Sequence, residues 1–221
     1  FIIAPLKGHE FLRACRNTGG EFIQISPASK NCINVMEIRK TDRSVDELLD
    51  GAPIEKSELA AKIQQLHIFF SLLIPDITHE ERQLLDEALI KTYNVKGITH
   101  DNDTLTDPDD PDRYREMPIL GDLMNALLSQ HIPEADRVAQ ALDLYVNGSL
   151  NFFNHRTTVD ISNRLVCFDI KGLGKNLKKP GMLIVQDAVW NTVTINRAIG
   201  RSTWYFVDEF HLLLKEEQTA A

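Results

Sequence analysis

The first 26 residues constrain the fold more than any other stretch. "FIIAP" is a short apolar run. "GHEFLRACRN" places Phe11, Leu12 and Cys15 on one helical face, and "EFIQIS" is a second apolar run, closed by Pro27. Strand, helix and strand in so short a span form a βαβ unit, which implies parallel strands. "TGG" ends the helix, with glycine placed for a left-handed cap. The far end of the chain reads the same way. "RLVCFDI" and "TWYFV" are apolar strands, and "GMLIVQDAVWNTVTINRAI" between them reads as a helix despite its Val, Thr and Ile content. Strands with almost no alternation are expected to be buried on both faces, as in a sheet sandwiched by helices.

Between these ends the period changes. "SELAAKIQQLHIFFSLL" carries Leu59, Ile63, Leu66, Phe70 and Leu73 at helical spacing. "THEERQLLDEALIKTY" opens on a capping box, Thr78 with Glu81, and buries Leu84, Leu85, Ala88 and Leu89. "PILGDLMNALLSQ" enters a helix after Pro118, and "EADRVAQALDLYVNG" aligns Val138, Leu142 and Tyr145 before Gly148. The reading is a split α/β core, residues 1–56 and 157–221, with an all-α insertion over 57–156 interrupted by one acidic loop.

The chain's 221 residues, 43% of them hydrophobic and 25% charged, supply a sizeable core. A net charge of −8 argues against broad electrostatic binding to nucleic acid and leaves open a local basic patch around "KGLGKNLKK". Cys15, Cys32 and Cys167 are widely spaced with no CxxC, so reduced thiols in a cytosolic compartment are expected rather than zinc. No run of 18 apolar residues suggests a membrane span. The opening, a strand already under way with no initiator Met or signal-like leader, suggests a piece of a longer protein.

Chemistry concentrates in "TWYFVDEFHLLL". An apolar strand ending in Asp208 and Glu209 has the form of a Walker B element, in which the Asp helps hold Mg²⁺ near nucleotide phosphates and the next acid polarises a water. A rigid strand would fix both carboxylates at the carboxyl edge of the sheet, where open α/β sheets bind ligands. The same stretch also reads as a strand that ends at solvent with two acids; His211 reads as a partly exposed histidine without a catalytic role, with a nucleotide sensor as the alternative. The phosphate loop GxxxxGK[ST] has no match. "KGLGKN" follows a strand, but Asn176 replaces Ser/Thr and Asp169 stands where the first glycine belongs, so it reads as a basic turn.

Other motifs carry blander readings. "DNDTLTDPDDPD" holds six aspartates but has Thr106 and Asp112 where a calcium loop needs Gly and Glu, so it reads as a solvated acidic loop. "HEERQ" has Gln83 where a zinc helix needs its second His. Phe69, Phe70, Phe152 and Phe153 read as core.

Several segments, taken in order, resemble one family. "GGEFIQISPASKNCINVMEI", "QQLHIFFSLLIPDITHEERQLLDEALIKTY", "YREMPILGDL", "YVNGSLNFFNHRTTVDISNRLVCFDIKGL" and "WYFVDEFHLLL" together are similar to the conjugative type IV secretion ATPases, the VirB-type conjugal transfer ATPases, from just after Walker A to just past Walker B. The resemblance implies a RecA-like P-loop NTPase core and an oligomeric ATPase at the cytoplasmic face of the membrane. Its partners would be copies of itself and secretion-channel proteins. It implies ATP and Mg²⁺ as cofactors, Asp208 as the nucleotide-site and Mg²⁺-linked acid, and Glu209 as the catalytic carboxylate. One departure stands out: many members have Asp-Pro-Glu after the opening strand, where this chain has Ala4, Pro5 and Leu6. The rivals are a DNA-translocating coupling-protein ATPase and a scaffold that keeps the fold without catalysis. Direct nucleic-acid binding stays open. The isolated chain is expected not to hydrolyse ATP. Phosphate release by the purified chain, abolished by Glu209→Gln, would contradict this.

Overall fold

The computed structural model describes residues 1–6, 8–38 and 57–209. His211 and residues 39–56 of the first core segment lie outside them. The chain divides into two compact units, Phe1–Ile33 with Thr158–Ala221, and Asn34–Thr157. The second begins well before residue 57, because residues 34–38 pair and pack with the helices.

In the first unit, β1 (Ile2–Ala4), α1 (Gly8–Thr18) and β2 (Glu21–Gln24) form the expected βαβ unit. Gly19 takes φ +70°, the left-handed turn that lets the chain leave α1. The sheet is completed by the far end of the chain. β5 (Val166–Asp169) inserts between β2 and β1, and β6 (Phe206–Val207) pairs on the other side of β1. All three pairings are parallel, with Ile2 opposite Cys167 and Phe206, and Ile3 opposite Phe168 and Val207. One face packs on α1 through Ala4, Cys15 and Cys167, flanked by Ile2, Phe11, Phe22 and Leu165. On the far face Ile3, Ile23, Val166 and Phe168 are buried as well.

The long helix α6 (Lys175–Ala198) joins β5 to β6. The β1–α1–β2 crossover steps one way along the sheet and β5–α6–β6 steps the other, so right-handed connections carry α1 and α6 to opposite faces. α6 starts at Lys175, inside the stretch read as a basic turn, and runs through Pro180. The proline removes only one backbone donor, close to the helix start, and Leu177, Met182, Val185 and Val189 hold the helix by burial.

β6 departs from the expectation of a strand buried on both faces. It lies at the margin of the sheet among the described residues. Trp204 and Phe206 are 73% and 57% exposed and stack with ring centroids 6.2 Å apart, while Tyr205 and Val207 are half-buried. The alternation is real. It is invisible in a run where both faces carry apolar residues.

The second unit holds α2 (Glu58–Leu73), α3 (His79–Val95), α4 (Leu120–Leu128) and α5 (Pro133–Val146). Leu66, Phe70, Leu85, Leu89, Leu123 and Leu142 are at most 1% exposed, and burying each such side chain contributes about 1.5–3 kcal/mol. Phe69 meets Phe153 edge-on, with centroids 5.6 Å apart. Buried Asn34 ties the entry segment in: its side chain donates to Pro118 O at 2.9 Å and accepts from Met36 N–H at 3.0 Å.

The insertion is not wholly α-helical. The acidic loop folds into a 3-10 turn (Asn102–Leu105) and an antiparallel ladder of β3 (Thr106–Asp107) with β4 (Asp110–Tyr114). Asp107 and Pro108 supply the turn: Asp107 Oδ1 accepts the Asp109 N–H at 3.0 Å, and proline presets the backbone angle.

The capping box on α3 forms in both directions, with Glu81 N–H to Thr78 Oγ1 at 3.2 Å and Thr78 N–H to Glu81 Oε2 at 2.8 Å. The Glu81 carboxylate, 3% exposed, also pairs with Arg137. Burial alone would raise its pKa, but the Thr78 bonds and Arg137 outweigh burial and hold it below the ordinary 4.5. The unfolded chain therefore binds this proton more readily, and the stabilisation is present above pH 4.5 and lost as pH falls through the depressed folded value. Denaturant unfolding at neutral pH and again below pH 4.5 should show a loss of stability that Glu81→Gln reduces. Thr78→Ala should cost about 1 kcal/mol at neutral pH.

Candidate functional site

The carboxyl edge of the sheet is where the first unit gathers its acids. β1 ends at Ala4, β5 at Asp169 and β6 at Val207, all pointing the same way. The ladder runs on past the strands: Asp208 N–H donates to Ile3 O at 2.9 Å, and Ile170 N–H to Ala4 O at 3.2 Å. Asp208, Ala4 and Asp169 thus stand at one level on three adjacent strands. At the usual spacing of about 4.8 Å per strand, the two aspartate backbones lie about 10 Å apart.

Asp208 is half-buried, and its Oδ2 is screened from solvent with no hydrogen-bond partner among the described residues. A screened carboxylate oxygen without a donor costs free energy unless something positive meets it. Glu209 follows at φ +52°, in the left-handed region that side chains other than glycine's avoid. Backbone strain of this kind costs about 1–3 kcal/mol and clusters at working sites.

No group of three or more His, Cys, Asp or Glu able to hold a metal occurs among the described residues. A single aspartate fits one kind of cation well. Mg²⁺ keeps several waters and is held by one or two carboxylates together with substrate phosphates, rather than by an all-protein cage. The donor set at Asp208 matches that pattern.

The thiols nearby offer no nucleophile. Cys15 and Cys167 are buried and free. Burial first, then Cys15 and the charge of Asp169, push Cys167 up to about 12, and burial raises Cys15 too. Tyr205, on β6's approach, is likewise pushed up to about 12 by burial. The buried thiols and the Tyr205 phenol near this edge are thus held neutral.

The motifs of the sequence do not single out Asp169, which stands there only as a mismatch to a phosphate loop. A usable signal was present: "VCFD" and "YFVD" have the same form, an apolar strand ending in aspartate.

This geometry can be set beside known proteins. No family model matches the chain, and no curated protein matches it. Among solved structures, VirB4 of Thermoanaerobacter pseudethanolicus superposes with a TM-score of 0.79 at 27% identity, over 99% of this chain and 76% of that one. The chain has the VirB4 fold. The resemblance read from ordered motifs to the VirB-type transfer ATPases thus holds across the described structure as an α/β fold. No helix among the described residues of this VirB4-like chain is long and apolar enough to cross a membrane.

The strain at Glu209 is separable from its chemistry. Glu209→Gly and Glu209→Ala both remove the carboxylate, but only alanine retains the steric penalty of a positive φ. The glycine variant should be the more stable of the two by about 1 kcal/mol in denaturant unfolding.

Proposed function

We propose that this chain is part of an ATP-hydrolysing motor that energises type IV secretion or conjugative transfer. The whole-chain similarity to VirB4 supports this reading. The single observation that carries the site is the half-buried Asp208, whose Oδ2 has no hydrogen-bond partner among the described residues, at the carboxyl end of a strand hydrogen-bonded to β1. On this reading the first unit, expected from the sequence over 1–56 and 157–221, belongs to a RecA-like core, and the second unit, entered at Asn34 rather than at residue 57, forms its insertion. Partners would be further copies of the ATPase and channel proteins at the cytoplasmic side of a membrane.

Asp208 would hold the Mg²⁺ that accompanies ATP, and bound Mg²⁺ supplies charge neutralisation on the phosphates. Glu209 would accept a hydrogen bond from the attacking water and set its line of approach. Phosphoryl transfer asks for little covalent help from the protein, so orientation and charge carry the rate. The low mobility of a backbone laddered to Ile3 suits Asp208 to that task. The turn that throws Glu209 into the left-handed region would aim its carboxylate away from the strand direction.

In the full-length protein, Glu209→Gln should keep Mg²⁺–ATP binding and lower steady-state hydrolysis by about 10² or more. Asp208→Asn should weaken the Mg²⁺ dependence of nucleotide binding. Unchanged phosphate release in both variants would refute the assignment.

A further inference from the structure

Asp169 is a buried acid that the proposed chemistry does not use. It is 5% exposed at the end of β5, and an isolated buried carboxylate is costly unless its oxygens are satisfied. Its Oδ1 accepts the Lys171 N–H at 2.9 Å, which fixes the turn leaving β5 for α6. Its carboxyl group also lies against the first residue of α1. A Cβ added to Gly8 would fall 2.3–2.6 Å from the Asp169 Cγ and both oxygens, closer than atoms can approach. Gly8 therefore keeps the helix start open to the acid, and the positive end of the α1 dipole favours a negative group there.

The place in the topology gives this contact its meaning. β1 and β5 are neighbours, yet their crossovers run in opposite directions along the sheet, and right-handed connections of that kind leave by opposite faces, β1 to α1 and β5 to α6. That divergence is the switch point where open α/β sheets form a crevice. The Asp169 side chain sits at that divergence, bonded to the β5–α6 turn and lying against the first residue of α1. Asp208 lies at the same level of the sheet on the other side of β1.

We propose that Asp169 is a positioning residue of the nucleotide site: its buried carboxylate ties the start of α1 to the β5–α6 turn and so holds the rim of the sheet in register with Asp208. This rests on the functional reading above. Supporting residues behind a site typically change affinity or activity by about 10–100-fold when removed.

The test uses the full-length protein and four variants, Asp169→Ala, Asp169→Asn, Gly8→Ala and the Gly8→Ala/Asp169→Ala double. Readouts are the Kd of a fluorescent non-hydrolysable ATP analogue with Mg²⁺, kcat, and the melting temperature. Asp169→Ala should weaken analogue binding or lower kcat by about tenfold or more. Asp169→Asn should be restored to near wild type, because its amide oxygen can accept the Lys171 N–H. Gly8→Ala should reproduce the alanine loss by displacing the carboxylate. The double variant should be no worse than Asp169→Ala, because the displaced group is gone.

If Asp169→Ala lowers the melting temperature but leaves Kd and kcat unchanged below it, the residue is scaffold alone and the proposal fails. Additive losses in the double variant also overturn it. Asp208→Asn is the control. Should it leave the Mg²⁺ dependence of analogue binding untouched, the functional reading itself falls and takes this assignment with it. An Asp208 effect without an Asp169 effect overturns only the present proposal.

Discussion

Everything at the candidate site depends on β1 lying between β5 and β6. Three residues at the start of the chain accept partners from near positions 167 and 206, with the whole helical unit intervening. Such long-range pairing is affordable because loop-closure entropy grows only slowly with length. It also needs the two crossing points of the chain to be held together. Within the first unit Cys32 and Thr158 do this: Thr158 N–H donates to Cys32 O at 3.0 Å, and Cys32 N–H to Thr158 Oγ1 at 2.9 Å. A closed neck lets an insertion of any internal design leave the parallel ladder intact.

The chemistry of the sheet edge follows from where that ladder stops. Parallel strands of unequal sequence origin end at the same level, so carboxylates far apart in the chain become neighbours in space. Burial then sorts the titratable groups. The thiols beneath the edge are kept neutral. Asp169 is enclosed and hydrogen-bonded by the turn it begins, while Asp208 keeps one oxygen without a donor among the described residues. Two aspartates in equivalent strand positions thereby acquire different environments.

Much of the architecture was legible because the signals were local. The βαβ opening, the Gly19 turn, the Thr78–Glu81 capping box and the stripes of α2 to α5 each rest on residues within a few positions of one another. The β3–β4 ladder was legible too, through Asp107 and Pro108, but was overshadowed by the acidity of the surrounding loop. β6 was misjudged for a different reason. Trp204, Tyr205, Phe206 and Val207 are all apolar enough for a core, and apolarity alone does not tell how many strands flank a strand.

The sequence by itself determined the helices and the strands of the first unit, that those strands run parallel, and that an acid pair follows the last of them. These are consequences of side-chain period, caps and turns, which act over a few residues. Only the tertiary structure decided the strand order, and with it the exposure of β6 and the placing of Asp169 against Gly8. Those outcomes depend on which distant backbone groups satisfy one another's hydrogen bonds, a choice made by the packing of the whole sheet.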